Sequence, residues 1–191
     1  MAAASTPRAR GSNPVATRGN GAGIEGGRAG PGPHRARNLC LITAWRICKK
    51  AHTAAAFDGQ GAAEHPGRWN SPGVAVVYTA ESRSLASLEV LVHTEDTRLL
   101  AAVQWMMIPV SIDEQLIENA KHLPKDWRQL PAPPSTREFG TQWVRQARST
   151  VLQVPSIVVD GEFNYVLNPR HAEFGQLKIG APVSFSFDPR L

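Results

Sequence analysis

The chain's 191 residues suffice for one domain with a real core, or for one domain plus a tail. Its formal net charge of +5 is supplied entirely by residues 1–38, where six arginines face the single acid Glu25. From residue 39 onward fifteen basic residues balance fifteen acidic ones, so net charge does not make the folded part a nucleic-acid binder.

The first 38 residues also hold half of the sixteen glycines and four of the fifteen prolines. With few large apolar side chains to bury, they are expected to form a disordered basic tail, 1–38, ahead of one folded domain, 39–191. They contain no apolar core like that of a signal peptide. No run of the chain approaches eighteen apolar residues, so a cytoplasmic protein without a membrane span is expected. Cys40 and Cys48 match neither a metal knuckle nor a disulfide scaffold and are read as free thiols.

In chain order, residues 39–48 read as a first strand with Arg46 near its end. Residues 49–71 are small and glycine-rich, predicting mostly loop, and finish in Gly67-Arg68-Trp69-Asn70. Residues 74–79 follow Pro72-Gly73 as a short buried strand. Residues 81–93 are the best helix, with Ser82 or Ser84 as cap and Leu85, Leu88 and Val92 as its apolar stripe. A strand is expected over 103–112, with Pro109 marking an edge, bulge or end, then a short helix over 113–119. The proline-rich stretch 124–134 is irregular, and Ser135 or Thr136 caps a helix running to Ala147. Strands follow at 151–159, 164–167, 176–179 and 182–187. Strands and helices do not alternate as in a Rossmann sheet, and neither G-x-G-x-x-G nor G-x-x-x-x-G-K-[ST] is present. The pattern predicts an α+β domain around a split or strongly bent sheet.

Glu89 is the most informative residue, because helical spacing sets a carboxylate on or beside an apolar face. Pairing with an arginine at the edge of that face explains it equally well. Arg68 offers a rigid donor fork suited to phosphate, beside a glycine that permits close approach and a tryptophan that offers a broad surface. Tyr78 can face the same cleft or be a core tyrosine with a satisfied hydroxyl. Ser156 has no G-x-S-x-G elbow around it, and no His, Cys or acidic spacing suggests a metal. One carboxylate, several arginines and aromatic surfaces suit a phosphorylated ligand with a cation-like centre, such as NAD.

Over residues 44–190 the chain resembles the RES-domain family, named for its arginine, glutamate and serine. The resemblance is carried by Trp45-Arg46-Ile47, by Phe57 to Ala62, and by Gly67-Arg68-Trp69-Asn70 with Gly73. It continues in Val77-Tyr78-Thr79-Ala80, Ser84 to Glu89, Leu123 to Trp127, Val154-Pro155-Ser156 and Asn164 to His171. Pro66 stands where the family usually has the first of two glycines.

The resemblance implies an ADP-ribosyltransferase-like fold, a mostly antiparallel split or bent sheet with flanking helices. It also implies a toxin that consumes NAD as substrate without a metal, cleaving the nicotinamide–ribose bond by hydrolysis or by phosphorolysis with inorganic phosphate. The expected partner is an Xre-like antitoxin, and a homodimer within that complex is compatible with it. Carried onto this sequence, the name's three residues are Arg68, Glu89 and Ser156. Arg46 and Arg68 are expected at the pyrophosphate, Tyr78 at the nicotinamide end, and Asn168 among the NAD-facing residues. Glu89 would stabilise positive charge on the ribose, with Ser156 positioning either Glu89 or the ribose. Two alternatives stand beside this: an ADP-ribosyltransferase that modifies a protein, and a nucleic-acid-binding accessory protein acting through its tail without catalysis.

Overall fold

The computed structural model describes residues 40–94, 97–188 and 190–191; the expected 1–38 tail lies outside the described residues. The elements are β1 (Leu41–Lys49), α1 (Gln60–Glu64), β2 (Val77–Ala80), α2 (Arg83–Val92), α3 (Arg98–Ala102), β3 (Trp105–Asp113), β4 (Ile117–Asn119), α4 (Pro134–Arg145), β5 (Val151–Pro155), β6 (Phe163–Leu167), β7 (Lys178–Ile179) and β8 (Val183–Phe185). Short 3-10 turns lie at Lys50–Ala55, Glu114–Leu116 and Phe174–Gln176.

One sheet orders these strands β4-β5-β6-β2-β1-β3-β7, and β8 also pairs with β3. All pairings are antiparallel except β4 with β5. The α+β class with a mostly antiparallel sheet and flanking helices is therefore the observed one. The sheet is joined unevenly. β1 lies against β3 along its whole length, and β2 pairs with β6 over all four of its residues. Yet β1 and β2 are in register only at Trp45 and Ala80. That narrow seam joins the β4-β5-β6-β2 half of the sheet to the β1-β3-β7 half.

Pro109 stands within β3 rather than at its end, opposite Trp45. On the other edge of β3, β8 covers residues 105–107 and β7 covers 110 and 111. Gly180 N–H donates to the Pro109 carbonyl at 2.8 Å on that side. The N–H that proline lacks would point the same way, into the gap between β7 and β8, so no ladder bond is lost.

Three expectations shift. The stretch 49–71 contains a 3-10 turn and α1 rather than loop alone, and 113–119 is a 3-10 turn followed by β4 rather than a helix. α4 begins at Pro134, whose fixed backbone angle and missing N–H suit a first helical position. Thr136 does not cap it; its hydroxyl donates to the Pro133 carbonyl.

Strand alternation then assigns faces. Ala44, Val77, Val110, Ile112, Val151, Tyr165 and Leu167 form the core on one side. Their neighbours along the strands point to the other side, where two clusters form. One joins Ile47 and Ala80 to α2 through Leu85 and Ala86, and the other joins Leu152, Val154 and Val166 to Trp69 and Trp143. Tyr78 and Asn164 share this second face with Ala80 and Val166. Among the described residues no helix is long and apolar enough to cross a membrane.

Candidate active site

α2 is capped by Ser82, whose Oγ accepts from Leu85 N–H at 3.0 Å. Its buried residues are Leu85 and Ala86, whereas Leu88 and Val92 are 37% and 56% exposed. The apolar stripe expected through Leu88 and Val92 thus faces outward. Glu89 stands four residues after Leu85 and three after Ala86, so it projects from the face those two bury. Both stripes set Glu89 beside an apolar face because Leu85 belongs to each.

Glu89 is half-buried and held through one oxygen. Its Oε1 accepts from Asn164 Nδ2 at 2.6 Å and from Ser156 Oγ at 3.2 Å. Its Oε2 accepts no hydrogen bond from a described residue. Ser156 is buried, and its Oγ also accepts from Val158 and Val159 N–H at 3.0 and 3.2 Å. That hydroxyl has its proton committed to Glu89 and both lone pairs committed to backbone, which suits positioning and not nucleophilic attack. Asn164 was not singled out as a site residue from sequence. Its place on β6 two residues before the apolar Val166 puts it on the site face, and this alternation was the available signal.

The Gly67–Asn70 loop is locked from beneath. Tyr78 Oη donates to Asn70 Oδ1 at 2.8 Å and accepts from Trp69 N–H at 2.9 Å. Asn70, fully buried, also accepts from Gly67 N–H and donates to the carbonyls of Ala62 and Val74. A Cβ at Gly67 would lie 2.7 Å from Tyr78 Oη, so only glycine lets the loop lie on that ring. Burial raises the Tyr78 phenol well above its ordinary range, against opposing backbone hydrogen bonding and the nearby charges of Arg137 and Arg68. The Tyr78 hydroxyl is therefore spent on the loop.

Arg68 rides on this locked loop. Its Nη1 donates to the carbonyls of Trp127 and Gln129, clasping the proline-rich segment. Burial lowers its pKa, Glu89 and Tyr78 oppose that shift, and Arg137 adds to it. Glu89, Arg68, Tyr78 and Arg137 are thus electrostatic neighbours. Arg137, on α4, was missed from sequence, where a lone arginine on a helix looks like a surface residue.

Arg46 and Asn168 are placed apart from this cluster. Alternation sets Arg46 on the face of Ala44, away from Tyr78, and its Nη1 donates to the Tyr78 carbonyl at the seam, 3.2 Å away. Burial lowers its pKa, and its titratable neighbours Cys48 and Asp58 oppose that shift. Asn168 follows β6 at the end opposite Asn164, about 13 Å along the chain at strand rise. It is buried, and its Oδ1 accepts from Arg170 N–H in a turn. Among the described residues no three His, Cys, Asp or Glu side chains converge. A hollow of about 420 Å³ lies elsewhere, bordered by Ile117, Phe139 and the Glu118–Arg148 ion pair.

A model of the RES domain matches residues 43–188. The chain belongs to the RES-domain family. This RES domain is 40% identical over 148 residues to "Toxin Res" of Yersinia enterocolitica, covering 77% of this chain and 97% of that protein. It is 35% identical over 154 residues to "Prs ADP-ribosylating toxin" of a Sphingobium species, covering 77% and 94%. Among solved structures, its fold is similar to a chain of the MbcT–MbcA toxin–antitoxin complex of M. tuberculosis. The TM-score is 0.64 at 17% identity, covering 80% of this chain and 87% of that one.

Proposed function

We propose that this RES domain is an NAD-consuming toxin that breaks the bond between nicotinamide N1 and ribose C1′. The observation that carries this reading is the half-held carboxylate of Glu89: one oxygen fixed by Ser156 and Asn164, the other without a described partner, beside Arg68. As the C1′–N1 bond breaks, its electron pair leaves with nicotinamide, which departs neutral, and positive charge grows on the ribose. A fixed negative charge stabilises that charge in the transition state more than in the ground state, which is what accelerates the step. Glu89 is the catalytic residue in this scheme. Ser156 and Asn164 position it.

Arg68 is assigned to the NAD pyrophosphate through Nε and Nη2, which donate to no described residue. Tyr78 acts through the loop that presents Arg68, with its ring toward the nicotinamide end. Arg46 acts from the seam, and Asn168 acts from the turn after β6, where its Oδ1 accepts from Arg170 N–H. The acceptor at C1′ is water, inorganic phosphate or a protein side chain, each losing a proton as its oxygen or nitrogen bonds to C1′. Protein modification is the second reading, favoured by the similarity to a relative named as ADP-ribosylating. An Xre-like antitoxin is the proposed partner and the cytoplasm the proposed place of action.

Incubating purified protein with NAD and detecting free nicotinamide tests the central step. Release at a rate above buffer is the expected result; intact NAD after prolonged incubation would contradict it. Analysing the co-product then separates the acceptors as ADP-ribose, its 1-phosphate or a mass increase on protein.

A further inference from the structure

Two buried side-chain atoms lack a hydrogen-bond partner among the described residues, and both are arginine Nε atoms, those of Arg46 and Arg137. An orphaned N–H on a buried arginine Nε is costly, and such groups are rare enough in folded proteins to need an explanation. Arg46 already donates to the Tyr78 carbonyl. The Arg137 guanidinium donates to no described residue, and no described carboxylate pairs with it.

Its position on α4 says where it faces. Three and four residues later come Gly140 and Thr141, on the same helical face. Gly140 sits against the Trp69 carbonyl so closely that a Cβ there would collide with it. Thr141 Oγ1 accepts from Ser71 N–H and donates to Ser71 Oγ, both at 2.9 Å. The face that carries Arg137 is therefore pressed onto the loop that carries Arg68, and the charge of Arg137 bears on both Arg68 and Tyr78. The first turn of α4 contains no acid to offset this cation, although a helix N-terminus disfavours positive charge. Two cations thus bear on one another where α4 meets this loop, each with donors to spare.

We propose that Arg137 is a second anion-binding residue of the site, which grips the diphosphate of a dinucleotide together with Arg68. This rests on the NAD-cleaving reading and adds the residue that supplies the second half of the grip. Arg68 has one terminal nitrogen tied to the carbonyls of Trp127 and Gln129, so it cannot present its whole fork to a diphosphate. Arg137, on the α4 face packed against the same loop, supplies what is missing. The diphosphate also relieves the repulsion between the two cations, which makes binding at this point depend on salt.

The test uses the full chain, with ADP-ribose as the diphosphate probe and nicotinamide as the probe lacking it, both titrated by calorimetry. Arg137→Gln should weaken ADP-ribose binding roughly 10- to 100-fold and flatten its salt dependence. The same variant should leave nicotinamide affinity and the unfolding midpoint unchanged, and should raise KM for NAD more than it lowers kcat. Arg137→Lys keeps the charge without the fork and should fall between the two. ADP-ribose binding that is unchanged in Arg137→Gln, while the parent binds it and cleaves NAD, overturns this inference alone. A parent that neither binds ADP-ribose nor cleaves NAD overturns the functional reading as well. Both variants failing to fold would assign Arg137 to the scaffold and overturn the inference too.

Discussion

Tyr78 shows how a residue chosen for a ligand can serve the site indirectly. Its ring is assigned to the nicotinamide end, while its hydroxyl holds Asn70 and the Trp69 N–H. Tyr78→Phe should leave the Trp69 N–H without its partner and cost about 1–3 kcal/mol of stability, measurable by denaturant unfolding. The same burial gives an alkaline signature. The folded-state pKa lies above that of the unfolded chain, near 10. Above that pH the unfolded state sheds the proton that the folded state keeps, so stability falls as pH rises. Unfolding curves from about pH 9 to 11 should show this loss, and it should be smaller in Tyr78→Phe. Asn164 makes a different prediction. Asn164→Leu frees Glu89 from its 2.6 Å anchor, so kcat should fall about 10- to 100-fold with little change in KM.

Among the elements, α4 and the arginine loop approach each other closely where Gly140 lacks a side chain. Gly140→Ala would drive a methyl group into the Trp69 carbonyl, and relief requires α4 to move off the loop. A loss of about 1–3 kcal/mol or more is expected in denaturant unfolding, with NAD affinity falling alongside it because Arg68 rides on that loop. This contact explains what the sequence left hidden. Periodicity located α2, and short apolar runs bounded by turn residues located the strands around Tyr78, Asn164 and Ser156, because both signals are local in the chain. Gly140 is distant in sequence from the loop it touches, and nothing local distinguishes it or Arg137 from ordinary helix residues. The stripe of α2 misled for a related reason: Leu88 and Val92 fit helical spacing as well as Ala86 does, and only packing against Ile47 and Ala80 chooses between faces.

For the whole molecule, the excess charge and the family match lie in different parts of the chain. Six arginines fall in residues 1–38, whereas the RES domain match begins at residue 43 and β1 at Leu41. A chain starting at Leu39 should therefore unfold at the same temperature as the full chain and release nicotinamide at the same rate. A large loss of either would make the tail part of the domain or its site. The central claim rests on one charge. In Glu89→Gln the anchored oxygen remains an acceptor for Ser156 and Asn164, while the other becomes an uncharged amide nitrogen. Single-turnover NAD cleavage and unfolding free energy, measured on the same preparations, separate catalysis from scaffold. A rate lower by roughly 100- to 1000-fold, with stability retained or raised, is the expected result. A folded Glu89→Gln protein that cleaves NAD within about threefold of the parent rate, a difference of under 1 kcal/mol, would contradict it.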